Sequence, residues 1–532
     1  MNYKDILFLT ILFLVAFFTW TLPLQESWLP FGEGDSAWHF ANGDPQFNLD
    51  RSTTKMPYFI GLWYYNLSSL GPLYPEYPPP SHLNYALMQI AGGERILSPF
   101  LYMAITGFLG VLVTYFFIRK LYSPMIGFLA AFPLIYSMRE IMLYLWGQRP
   151  SLLSFIFVPI ILYALYKYLD GYYTKNQRVV YLYIFLLLVA AQFLLHIQGS
   201  VISFLCSLVY VITMSIKYKK IPIGKDNLKH VLISGLLLLI IIAPFAPIYY
   251  GLELGEASGE RTVPLSRLLM WNVQKGTYQG SYPESYVELS GHYHWILLVL
   301  VALGVLLLLM RRKNKDLLIL SWLGGIYLAL HFDVFLGTTS PRLIRMMVTE
   351  PPVFFALISI GVMSLVSLLP TKTQVKKIAK IMVFVVLLVF IFQTKSPEAL
   401  QTLEGAYSSL GRMTQQQYEF AEWLRLSDIP QDAFIYNRGT ITYPKVRWQL
   451  SVSNRHIAQW YGKMRNDTYL TGKQYFIADY SDLRYLTQNA QYAQKLKDLQ
   501  NFEIKNFENQ VPLYNKDDIR LYEVIQPLEE IA

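Results

Sequence analysis

The segment FGEGDSAWHFANGD, from Phe31 to Asp44, carries four side chains suited to chemistry: Glu33, Asp35, His39 and Asp44. A carboxylate flanked by Gly and Ser can accept a proton from a hydroxyl nucleophile. The same carboxylate can ligate a divalent cation such as Mg2+ or Mn2+, with His39, Glu33 or Asp44 beside it. Asp35 and His39 are four residues apart, so a helix puts them on one face. The competing role is structural, because an Asp in a Gly-rich loop is most often a turn or cap residue.

Three further groups follow. The stretch LGPLYPEYPPPSHLNYAL, Leu70 to Leu87, is dense in proline, which excludes a regular helix and predicts extended chain. Trp63, Tyr64, Tyr65, Tyr74 and Tyr77 can stack on sugar rings or form an interfacial aromatic belt. His82 joins Tyr77 as a candidate substrate contact. Arg139, Glu140, Gln148 and Arg149, then Gln192, His196 and Gln198, lie at the ends of apolar runs. Ionisable groups at membrane depth are expensive and functional by default, although near the interface they snorkel cheaply. Arg149 and His196 are the candidates taken from this group. The last is SPRLIRMMVTEPP, Ser340 to Pro352, where Arg342, Arg345 and Glu350 precede two prolines suited to a helix start. Arginines beside a positive helix end make an anion site that fits a phosphate. The alternative is simple pairing with nearby acids.

The elements that must position these residues are membrane helices. The chain has 532 residues, 54% apolar and only 15% charged, against about 25% charged in soluble domains. Apolar runs at roughly 6–24, 97–118, 124–142, 151–168, 180–197, 199–216, 230–250, 295–310, 316–332, 351–370 and 378–394 give about eleven spans. The first exceeds a signal-peptide core and lacks a cleavage site, so it reads as retained. Alternate loops hold nineteen Lys and Arg against four acids, Asp5, Asp170, Asp226 and Asp316. The positive-inside rule then puts the N-terminus in the cytoplasm and the C-terminus outside. The net charge of +9 is spent on this orientation, not on nucleic acid. The single cysteine, Cys206, allows no intrachain disulfide.

The expected fold is thus an α-helical polytopic membrane domain, residues 1–394, with a long first outer loop (25–96) and a small extracytoplasmic α/β domain, 395–532. In the tail, Gln415 to Leu426 has helical spacing, and Ala433–Tyr436, Tyr475–Ala478 and Ile519–Val524 read as strands. The tail either clamps a substrate or partner, or only packs on the outer loops. Outer loops also cover 251–294 and 333–350, and seven of eight histidines lie on or near that side. Chemistry is therefore expected there. No Walker loop, GxSxG, HExxH, CxxC or dinucleotide fingerprint occurs, and no repeat of 20–50 residues. Two sequons, at Asn66 and Asn466, fall on the outer side.

A first span, an outer loop with Asp in a Gly-Asp-x-x-x-His setting, a Tyr-Pro-Pro stretch, a multi-span core and an outer C-terminal domain resemble the GT-C superfamily of membrane glycosyltransferases. Among its prokaryotic members, the chain looks similar to the family labelled "6-pyruvoyl-tetrahydropterin synthase-related", with no pterin chemistry implied. The resemblance implies inverting transfer of a sugar from a polyprenyl-phosphate donor in the bilayer to a glycan, protein or lipid acceptor. Asp35 takes the place of the outer-loop acid, as base or metal ligand, and Arg342 and Arg345 hold the donor phosphate. No WWDYG segment and no DxD occur in the expected places, which argues against peptide N-glycosylation. A transporter or flippase for lipid-linked glycans and a non-catalytic scaffold are the rival readings.

Overall fold

A computed structural model describes residues 3–32, 34–44, 79–176, 178–243, 265–269, 271, 292–336, 343–368, 370, 372–405, 411–430, 433–460, 473–486 and 488–529. The described parts of all eleven apolar runs lie on helices. These are Tyr3–Trp20, Leu97–Leu121, a bent segment, Arg149–Tyr173, Val180–Leu195, Ile197–Tyr218, Lys225–Ile242, Trp295–Arg311, Asn314–Leu330, Glu350–Leu368 and Thr373–Gly405. Among the described residues, five helices are long and apolar enough to cross a membrane by themselves. The bent segment, Pro124–Tyr136 with Met138–Leu145 at 45°, makes a sixth. Together they form a multi-pass membrane protein.

The surface of the bundle is apolar. Leu232, Leu236 and Leu239 are 64%, 59% and 66% exposed, which suits lipid as solvent and no aqueous surface. Lipid gives helices no hydrophobic reason to associate, so close packing holds them. At the crossing of Trp295–Arg311 and Glu350–Leu368, a Cβ on Gly304 would collide with the Leu357 carbonyl.

The basic loops meet at one end of the bundle. Asp5 accepts from Tyr115 at 3.1 Å and pairs with Arg119. Asp316 pairs with Arg311 at 3.0 Å and accepts from Tyr122 at 2.8 Å. Lys217 donates to the Arg312 carbonyl at 2.8 Å. The segments 31–44, 79–96 and 137–149 gather at the opposite end with the C-terminal domain.

One expectation fails there. Residues 79–92 are not extended chain but a helix, Pro79–Gly92. Proline is excluded from helix interiors, yet its fixed φ and missing N–H cost nothing in the first turn, where Pro79 and Pro80 sit.

In the C-terminal domain the predicted helix Gln415–Leu426 is present, capped by reciprocal bonds between Thr414 and Gln417, each 3.1 Å. The five strands are β1 (Phe434–Arg438), β2 (His456–Gln459), β3 (Gln474–Asp479), β4 (Tyr514–Lys516) and β5 (Ile519–Glu523), in the order β2-β1-β3-β5-β4. β1 runs parallel to β2 and β3, and β5 is antiparallel to β3 and β4. Alternate side chains serve opposite faces. Phe434, Tyr436 and Phe476 join Leu499 and Phe502 of helix Ala490–Phe507. Ile435, Tyr475 and Ile477 join the core that contains Trp448 of helix Tyr443–Ser453. Helix Thr373–Gly405 runs unbroken past residue 394.

This domain is bolted to the first loop. Trp448 Nε1 donates to the Gly32 carbonyl at 3.1 Å, and Ser451 Oγ to the Ala37 carbonyl at 2.9 Å. Arg412 reaches the carbonyls of Ser27 and Pro23, both at 2.7 Å. Arg95 binds both oxygens of Asp44, at 2.8 and 2.7 Å, and also pairs with Glu422.

Candidate functional site

Asp35 lies in the first turn of helix Gly34–Gly43, as the four-residue spacing to His39 predicts. The helix is held against the turn between Met138–Leu145 and Arg149–Tyr173. Gly147 sits there at φ +78°, and a Cβ on it would strike the backbone nitrogen of Ser36. Only glycine tolerates both the conformation and the approach.

That contact aligns two adjacent pairs. Gln148 Nε2 donates to Asp35 Oδ2. Arg149 Nη2 donates to Ser36 Oγ at 3.1 Å, and its Nη1 to the Tyr85 hydroxyl at 3.0 Å. Arg345 approaches Asp35 Oδ2 at 3.8 Å. Asp35 remains 41% exposed, and among the described residues its Oδ1 takes no hydrogen bond.

Arg149 is the unusual group. Its side chain is enclosed, 5% exposed, between the rings of Tyr85 and Phe100. Among the described residues its hydrogen-bond partners are neutral, and its Nε has none. A buried cation without an anion is costly, so the position favours an anionic ligand.

His39 turns inward from the same helix. Its Nδ1 meets His82 Nε2 at 3.1 Å, and both rings are buried. Burial lowers His39 first, with the charges of His82, Arg149, His196 and Arg345 adding to it. Burial alone lowers His82 to about 3. The pair is therefore neutral at pH 7. His196 accepts from the backbone N–H of Gln198 at Nδ1, 3.2 Å, so its proton sits on Nε2, which meets Ser151 Oγ at 3.1 Å.

Six predicted residues thus converge: Asp35, His39, His82, Arg149, His196 and Arg345. Glu350 does not join them as an open ligand. It is 0% exposed, paired with Arg139 at 2.6 Å and bonded by Trp271. Tyr77 and Arg342 lie outside the described residues, as do Glu33, Trp63, Tyr64, Tyr65, Tyr74 and both sequons. Among the described residues no three His, Cys, Asp or Glu side chains converge on a metal position. Asp44 is consumed by Arg95 and Gln89, and His82 Nε2 by His39. Among the described residues Asp44 and His82 are thereby closed to a cation, while the Asp35 carboxylate stays open. Ser36, Tyr85 and Ser151 were not singled out in the sequence. Their signal is only positional, since each lies next to, three from or two from a residue that was.

A family profile described as "Family of unknown function (DUF6541)" matches residues 77–441. No curated protein sequence matches. Solved structures do. ArnT from Cupriavidus metallidurans, in the apo state, is 10% identical with a TM-score of 0.56, covering 99% of both chains. ArnT bound to undecaprenyl phosphate matches with a TM-score of 0.51 at 11% identity, again covering 99% of both chains. The oligosaccharyltransferase of Archaeoglobus fulgidus in its peptide-tethered form is 14% identical with a TM-score of 0.53, covering 93% of this chain and 72% of that one. At such identities the likeness shows the fold: an α-helical polytopic membrane domain of GT-C type with a small C-terminal α/β domain.

Proposed function

This chain belongs to the DUF6541 family, and we propose that it is a membrane glycosyltransferase that moves a sugar from a polyprenyl-phosphate donor to an acceptor hydroxyl. The observation that carries this is the adjacency of an open carboxylate, Asp35, to a buried arginine with neutral partners among the described residues, Arg149. A base for the acceptor and a seat for an anion are thereby linked through a single intervening residue on either path, Gln148 or Ser36. The neighbours support the donor class: one ArnT structure holds undecaprenyl phosphate, and one archaeal structure, AglB, holds dolichol-phosphate with an inhibitory peptide.

In the proposed step, Asp35 Oδ1 accepts the acceptor's hydroxyl proton. The oxygen forms a bond to the anomeric carbon as the carbon–oxygen bond to the lipid phosphate breaks, with inversion. The electron pair leaves on the phosphate, whose charge meets Arg149 and Arg345, joined by Arg342. Gln148 holds the carboxylate in place. The same reading puts the N-terminus in the cytoplasm and the site and C-terminal domain outside, because the basic loops gather at the opposite end. A relationship to the "6-pyruvoyl-tetrahydropterin synthase-related" membrane proteins is part of this proposal and carries no pterin chemistry.

The test is to compare surface glycans and lipid-linked sugars by mass spectrometry in cells with and without the protein. Loss of one sugar with accumulation of its lipid donor is the expected result. Unchanged glycans and unchanged lipid donors would overturn the reading, and accumulation of a completed lipid-linked glycan would replace it with a flippase.

A further inference from the structure

The C-terminal sheet has a feature that sugar transfer at Asp35 does not use. β1 is followed by helix Tyr443–Ser453, which leads to β2 on one side of β1, while β3 lies on the other. The strand order therefore reverses between β1 and β3. That helix covers one face of the sheet and Ala490–Phe507 the other. In doubly wound sheets a crevice opens outside the carboxyl ends of the strands at such a reversal, and ligands bind there.

A cavity of about 200 Å³ occupies this place. Its walls come from the end of β1 (Arg438 and Gly439), the end of β2 (Gln459) and helix Ala490–Phe507 (Lys495 and Asp498). Gly439 stands at φ +110°, where a Cβ would collide with the Asp479 carbonyl, so the turn leaving β1 stays low and the crevice open. Arg438 is steadied over the Phe502 ring at 4.4 Å. Asp479 and Asp482 sit behind the turn, their oxygens taken by Thr440, Gln417, Gln449, Ser481 and Lys445. They do not line the cavity.

Among the described residues the lining carries two cations, Arg438 and Lys495, one carboxylate, Asp498, one amide, Gln459, and an apolar floor of Leu483 and Leu499. Cations select an anion, the amide and Asp498 accept or donate to hydroxyls, and the floor suits the C–H face of a ring. We propose that this crevice is a second binding site, for an acidic saccharide: a sugar ring bearing a carboxylate or a phosphate. The proposal rests on the crevice alone and not on transfer at Asp35.

The test is calorimetric titration of the full-length protein in detergent with glucuronate, glucose 6-phosphate, glucose and inorganic phosphate. One or both acidic sugars should bind saturably, at least tenfold more tightly than glucose or phosphate. The carboxylate and phosphate arms then identify the anion. Lys495→Gln, at an exposed position, should weaken binding at least tenfold, as should Arg438→Gln, while Asp35→Asn leaves it unchanged. No binding by any probe up to about 10 mM would overturn the proposal. So would phosphate alone binding as well as the sugars, or binding indifferent to Lys495→Gln.

Discussion

Gln148 donates to the carboxylate of Asp35 while its neighbour Arg149 donates to Ser36, so two consecutive residues of one turn grip two consecutive residues of one helix. The proposed base and the proposed anion seat are thereby held in a fixed relation by elements far apart in sequence. Such pairing at both positions leaves little freedom for either side chain, which is what a preorganised site requires.

Arg149 separates ligand binding from folding. Its burial beside groups that are neutral among the described residues means that removing the charge relieves a costly buried cation while losing two hydrogen bonds and two ring contacts. Arg149→Met should leave the melting temperature within a few degrees of the parent and weaken polyprenyl-phosphate binding by about tenfold or more. Thermal unfolding and lipid titration of the purified protein check both halves. A collapse in stability with binding intact among surviving molecules would assign Arg149 a purely structural role.

Gly147 is where the two elements touch. Gly147→Ala places a Cβ into Ser36 and forces an alanine to φ +78°. The cost should be about 1–3 kcal/mol, and activity should fall with it because the Gln148–Asp35 bond is disturbed. Chemical denaturation measures the first and glycan transfer the second.

The His39–His82 pair makes stability depend on acid. In the unfolded chain these histidines take up protons as pH falls below about 6.5, whereas folded His82 resists until about 3. The unfolded state therefore binds more protons in that window, and its population gains. Stability is complete above pH 6.5 and is lost as pH falls toward 3, by about 2–3 kcal/mol at pH 4.5 from His82. Melting curves at pH 7.5 and 4.5 should show the loss, and His82→Gln should flatten it.

Much of this was legible in the sequence. Eleven apolar runs with alternating basic loops gave the bundle, because length and hydrophobicity are local properties read against a fixed bilayer thickness. Helix Gln415–Leu426 and strands β1, β3 and β5 were marked by their periodicity. The short strands β2 and β4 carry too little pattern, and helix Ala490–Phe507 is polar on most of its surface. The helix Pro79–Gly92 is hidden in the sequence because its prolines look like interior breakers, whereas they open it. Among the candidate site residues, Asp35, His39, Arg149 and His196 stand out in the sequence by type and position, and the fold brings them together. Their partners Ser36, Tyr85 and Ser151 are ordinary residues whose role comes only from the tertiary meeting of the first loop with the turn at Gly147. Glu350, a donor-binding candidate on the outer side by sequence, is buried against Arg139, since a carboxylate beside a buried guanidinium is far cheaper than either alone.

Asp35→Asn tests the central claim most directly. The amide keeps the shape of the carboxylate and removes its basicity. Expressed at equal level in cells lacking the parent, with lipid-linked sugars and surface glycans measured by mass spectrometry, it should leave transfer reduced by about 100-fold or more and the lipid donor accumulated. Transfer at the parent rate from Asp35→Asn would contradict the account.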